Sequence, residues 1–207
     1  MTSAKVYGPG AYVAGAYEGE RARGTGGEGP LPLPQPLLFL DVDGPLIPFG
    51  AAGGTYPTYP PAVPASVSPL LARLDPAQGP RLAALPYELV WATTWEEEAN
   101  AWVAPRLGLP ALPLVPWPDE DPAPGRAGLH WKTPALVAWA AGRPFAWVDD
   151  EIGAADRAWV ADHHPGRALL HRVDPGRGLG AADFEALAGW VSGVGPVGPV
   201  GPAGPVG

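Results

Sequence analysis

The chain has 207 residues, 46% of them hydrophobic, with a formal charge of −8 and a pI of about 4.9. That acidic balance excludes a protein that coats nucleic acid or an anionic membrane non-specifically, since both need a basic face. The absence of cysteine excludes disulfide and thiolate chemistry.

Neither a run of about 18 apolar residues nor a basic-then-apolar leader is present, so a soluble cytoplasmic protein is expected. Gly 29 and Pro 30 are high counts, but 13 of these residues fall in 1–36 and 10 in 191–207. The expected organisation is a Pro-rich, disordered leader over 1–36, one domain over 37–191 and a flexible Gly-Pro-Val tail over 192–207. Within the leader, Tyr7, Tyr12 and Tyr17 follow no helical or strand period, and PLPLPQP (Pro30 to Pro36) reads as a stiff polyproline lead-in.

Leu37 to Leu40 predict a buried strand that runs into Asp41, Val42, Asp43 and a Gly44-Pro45 turn. Residues 45–64 read as a loop or flap carrying Phe49, Tyr56 and Tyr59. Ser68-Pro69 predicts a helix start, with Leu70, Leu71 and Leu74 on the helix. Tyr87 to Ala92 is the second predicted strand and ends on Thr93. Thr94 with Glu97 reads as a capping box for a helix to about Val103, closed by Pro105 and Gly108. Leu112 to Val115 is a weaker third strand, and Asp119 and Asp121 read as solvated loop charges.

Thr133-Pro134 repeats the cap-then-proline start, for a helix that ends at Gly142. Phe145 to Val148 is a fourth strand, ending on Asp149, Asp150 and Glu151. A helix over about 153–162, a fifth strand from Ala168 to Val173 and a helix over Gly180 to Val191 complete the pattern. Strands alternating with helices predict an α/β domain with a Rossmann-like parallel sheet of about five strands and helices on both faces.

Polar groups therefore gather at strand ends: Asp41 and Asp43, then Thr93, then Asp149 and Asp150. In open parallel sheets the binding crevice lies at those carboxyl ends. Lys132 precedes a helix whose next strand delivers Asp149. It is one of two lysines in a chain with 11 arginines, which suggests a need for a compact ammonium. His163, His164 and His171 have no acidic or cysteine partners at ligand spacing and read as surface or packing histidines.

In this order, FLDVDGPL, VWATTW, LGLP, HWK, WVDDE and DPGRGL resemble the motifs of the haloacid dehalogenase (HAD) superfamily over about 37–191. Within it, the pattern is similar to the HAD-type domain named after Swiss-Army-Knife RNA-repair proteins. Pro45 stands where many family members have threonine.

The resemblance implies a Mg²⁺-dependent phosphatase. It implies that Asp41 is the nucleophile that forms an aspartyl phosphate, that Asp43 is the general acid and base, and that Lys132 offsets the charge on Asp41. It places Thr93, with Thr94 beside it, on the phosphoryl oxygens. Mg²⁺ would lie on Asp41, Asp43 through its main-chain carbonyl, Asp149 and Asp150. Neither interval around the second strand is long enough for a large cap domain, so an open site is expected. Such a site would admit a small phosphate ester, a nucleic-acid end or a phosphoprotein. The other readings are a phosphotransferase on the same site, or a catalytically silent interaction module using the proline segment and the tail.

Overall fold

The computed structural model describes residues 35–62, 64, 67–118 and 128–193. The expected disorder of the leader, the Gly-Pro-Val tail and the loop charges Asp119 and Asp121 lie outside these residues, apart from Gln35 and Pro36 of the leader and Ser192 and Gly193 of the tail. No helix among the described residues is long and apolar enough to cross a membrane.

Four strands form one parallel sheet in the order β2-β1-β3-β4: β1 (Leu37–Leu40), β2 (Glu88–Trp91), β3 (Phe145–Asp149) and β4 (Ala168–Arg172). β1 pairs with β2 from Leu37 against Glu88 and with β3 from Leu37 against Phe145. Every residue of β1 is fully buried. That is why it reads as an unbroken apolar run: a central parallel strand is covered on both faces. Each such side chain contributes about 1.5–3 kcal/mol by leaving water.

Leu38 and Leu40 face one core, with α1 (Gln78–Ala83), α2 (Ala104–Leu107) and α5 (Ala181–Ser192). Leu37 and Phe39 face the other, with α3 (Thr133–Ala140) and α4 (Ala154–His163). Helices thus cover both faces, as the alternation of elements requires.

The sheet has four strands where five are expected. Leu112 to Val115 makes one parallel bridge, Leu114 against Trp91, supported by bonds from Trp91 N to Pro113 O and Val115 N to Trp91 O. Pro110, Pro113 and Pro116 have no N–H to extend that ladder. Leu112 is instead held by the Asn100 side chain, which accepts from its N–H and donates to its carbonyl, both at 2.9 Å.

Three helix starts also differ from expectation. Pro69–Arg73 is a short 3₁₀ turn, and the Ser68 hydroxyl caps nothing. The chain extends again at Leu74, and Pro76 disfavours a return to helical backbone at Asp75. Thr94 makes no capping box; Glu96 takes a left-handed φ of 47°, and Thr93 Oγ1 accepts from Trp95 N instead. Thr133 is the first residue of α3 rather than its cap, and its hydroxyl donates to Asp156. Pro105 does not close its helix but sits inside it. The wider π turn of Ala99–Val103 precedes it and absorbs the bond a proline cannot donate. Gly108 ends that helix in the left-handed conformation.

Candidate active site

Three of the four strands deliver polar groups to one edge. Asp41 follows β1, and its N–H still donates to Val148 O, so its side chain is fixed by the last rung of the ladder. Beyond it the chain doubles back: Gly44 N donates to Ile47 O, Leu46 N to Val42 O, and Asp43 bridges to Ile47. Gly44 has a φ of 83°, and a Cβ on it would lie 2.7 Å from Asp150 Cγ. Only glycine fits that turn, because its missing side chain is the space that Asp150 fills. Pro45 lacks a threonine's hydroxyl. The turn is tied instead by its carbonyl, which accepts from Leu179 N at 2.8 Å.

Lys132 is the centre of the cluster. It is 4% exposed, and its Nζ donates to Asp41 Oδ2 at 2.7 Å and to Asp149 Oδ2 at 2.9 Å. Asp150 joins them, so that one carboxylate oxygen from each of Asp41, Asp149 and Asp150 lies within 4.8 Å of the others. The remaining oxygens of the first two are used locally: Asp41 Oδ1 accepts from Val42 N and Asp149 Oδ1 from Glu151 N.

Three carboxylates against one ammonium leave the cluster short of positive charge. Burial raises the Asp41 carboxyl, pushing it up to about 7 despite the opposing pull of Lys132 and with help from Asp149. Burial and the neighbouring Asp149 raise Asp150 as well. Burial would pull Lys132 down, but its two carboxylate partners outweigh it and hold the ammonium above its ordinary value. Hard oxygen donors with excess negative charge suit a hard divalent cation, a class that includes Mg²⁺, so these three residues could hold such an ion.

Asp43 stands apart from the ammonium. Its Oδ2 accepts from Trp95 Nε1 at 3.0 Å. Thr93 is buried, and its hydroxyl oxygen accepts from Trp95 N, which leaves the hydroxyl proton free to donate. Thr94 is exposed; of the predicted residues the structure brings together Asp41, Lys132, Asp149 and Asp150, while Thr93 and Asp43 are joined to each other through Trp95.

A supporting layer carries residues that the sequence reading did not single out. Asp156 is fully buried. Its Oδ1 accepts from His130 N at 2.8 Å and Thr133 Oγ1 at 2.6 Å, and its Oδ2 from Gly153 N at 2.7 Å. One carboxylate thereby joins the segment bearing Lys132 to the loop after Asp149 and Asp150. His130 Nδ1 accepts from Lys132 N, so Nε2 carries the proton and donates to Glu151 at 3.0 Å. The signal for Asp156 was the tetrapeptide Gly-Ala-Ala-Asp, which opens both α4 and α5. Trp95 had no signal beyond following Thr94.

Of the histidines, His163 stacks on Trp159 at 4.1 Å, His164 is buried against Phe145, and His171 pairs with Asp183. These are packing and surface roles. A recess of about 280 Å³ lies beside the Gly44 turn, lined in part by Leu46, Tyr56, Arg73, Gln78 and Arg177. No family model, no curated protein and no solved structure matches this chain.

Proposed function

We propose that the chain is a Mg²⁺-dependent phosphatase of the haloacid dehalogenase type, acting through an aspartyl phosphate on Asp41. The observation that carries this reading is the single buried ammonium of Lys132 shared by Asp41 and Asp149, with Asp150 alongside.

Mg²⁺ would be held by Asp41, the main-chain carbonyl of Asp43, Asp149 and Asp150, and would offset the repulsion between Asp41 and a phosphate dianion. The Asp41 carboxylate attacks phosphorus. The bond from phosphorus to the ester oxygen breaks, and Asp43 gives that oxygen its proton. A water then attacks the aspartyl phosphate and loses its proton to Asp43. The bond to Asp41 breaks, releasing inorganic phosphate and restoring both carboxyl groups. Trp95 holds one oxygen of Asp43, leaving the other to carry the proton. The Thr93 hydroxyl donates to a phosphoryl oxygen, and Lys132 keeps Asp41 oriented while its charge changes.

Among the described residues, only the Pro69–Arg73 turn and α1 lie between β1 and β2. This supports an open site that takes small esters and larger phosphorylated substrates such as nucleic-acid ends. The test is phosphate release from a broad ester panel, including 3′- and 5′-phosphorylated oligonucleotides, with and without Mg²⁺. Mg²⁺-dependent release that vanishes in Asp41→Asn is expected. No release from any ester, or full activity in Asp41→Asn, would overturn the reading.

A further inference from the structure

The chain has nine tryptophans. Trp91 and Trp147 are fully buried beneath the sheet edge, as aromatic core residues should be. Trp95, Trp117 and Trp131 are different, because each is only partly buried and each is attached to a site residue. Trp95 Nε1 donates to Asp43 Oδ2 at 3.0 Å, and Trp117 Nε1 donates to the carbonyl of Thr93 at 2.9 Å. Trp131 directly precedes Lys132, whose Nζ lies 5.9 Å from the ring centroid. Trp117 and Trp131 meet edge to face at 4.8 Å and 72°.

The placement is two-sided. Trp95 packs against the core that holds α1, α2 and α5, and Trp117 against the core that holds α3 and α4. Thr93 and the carboxylates thus have indoles on both sides of the sheet edge. The N–H of Trp95 and that of Trp117 are spent inward on the site, which fixes these rings; all three indoles are partly exposed, and Trp131 is stacked on His130. Partly exposed, immobilised indoles beside a phosphate-type centre suit a flat ring. They offer less to an aliphatic polyol, which has no π face to stack.

We infer that Trp95, Trp117 and Trp131 form an aromatic rim that selects phosphate monoesters carrying a flat aromatic group. This rests on the phosphatase reading for the phosphate end of the ligand and on the indoles alone for the ring. The ring comes either from a nucleobase or from a simple aryl ester. Stacking of one ring on such a platform is worth about tenfold or more in affinity.

Two measurements test it. The first is kcat/KM with Mg²⁺ for nucleoside monophosphates and phenyl phosphate, each relative to glycerol phosphate. A preference of about tenfold for the aromatic esters is expected in the unaltered protein. In Trp117→Leu, and separately in Trp131→Leu, the ratio falls toward one, whatever the absolute rate. Which of the two aromatic arms shows the larger preference identifies the source of the ring.

The second is quenching of indole fluorescence by adenosine and by phenol, which carry no phosphate, in Asp41→Asn protein. Quenching is expected, is diminished in the added Trp117→Leu and Trp131→Leu variants, and persists with Trp159→Leu on α4. Melting curves confirm that each variant is folded. A ratio near one in the unaltered protein, or full quenching in both folded rim variants, would overturn the rim. If no ester is hydrolysed but the quenching follows this pattern, the phosphatase reading fails and the rim stands.

Discussion

Helices α4 and α5 begin with the same four residues, Gly-Ala-Ala-Asp, as Gly153–Asp156 and Gly180–Asp183. Their backbones enter alike, with φ and ψ of −112° and −175° at Gly153 and −113° and −175° at Gly180. In both, the glycine N–H donates at 2.7 Å to Oδ2 of the aspartate three residues on. The difference lies in the other oxygen. Asp183 Oδ1 meets the part-exposed ring of His171, whereas Asp156 Oδ1 takes the His130 N–H and the Thr133 hydroxyl in full burial. An identical local sequence makes an identical cap; tertiary surroundings decide whether that cap also builds a site.

The strongest test of this contrast is Asp156→Ala. It leaves three donors unpaired, the buried Thr133 hydroxyl and the part-buried N–H groups of His130 and Gly153, so unfolding in urea should show a loss of about 3 kcal/mol. Phosphate release should fall with it, because the segment bearing Lys132 loses its anchor. Thr133→Val removes one hydroxyl bond to the same carboxylate, and a smaller loss of about 1–2 kcal/mol is expected. Asp183→Ala should cost about 1 kcal/mol, the ordinary value of a cap, and leave phosphate release unchanged. Equal losses at 156 and 183, with equal effects on turnover, would erase the distinction.

The far ends of the two helices provide the mildest test. α5 ends on Gly193, whose carbonyl accepts from Arg167, while α4 ends on His164, whose ring is buried against Phe145. Burial holds the His164 pKa below its ordinary 6.5 against a weaker opposing pull from the Arg143 backbone. The unfolded chain therefore binds this proton more readily than the folded one. The contribution of neutral His164 is complete above pH 6.5 and is lost as pH falls through the lower folded value. Between pH 7 and pH 5 the melting temperature of His164→Phe should gain on that of the unaltered protein, because protonation of His164 penalises only the latter.

How much of this was legible in the sequence depended on the kind of interaction. β1 and β3 were readable because burial on both faces demands uninterrupted apolar residues, as in Leu37–Leu40. The convergence of Asp41, Asp149 and Asp150 followed from placing them at ends of parallel strands, and that of Lys132 from its place before the helix that leads into β3. Leu112 to Val115 misled because hydropathy does not reveal that Asn100, twelve residues earlier, takes both backbone groups of Leu112. Thr94 and Thr133 had the right residue types for caps, but long-range partners overrode the local rule. Thr133 has a better acceptor in Asp156, and the chain after Thr93 turns through a left-handed Glu96. Trp95 was invisible because its bond to Asp43 spans 52 residues.

Gly44 has a consequence for how this chain can vary. Its backbone approaches Asp150 so closely that a single methyl group there would displace a carboxylate of the cluster, and its φ of 83° penalises that methyl again. In a library with every amino acid at every position, selected for phosphate release, position 44 should return glycine alone. Pro45 beside it is buried but hydrogen-bonded through a main-chain carbonyl that any residue supplies, and should return a mixture of residues that fit its space. The boundary between invariance and drift would then fall across one peptide bond.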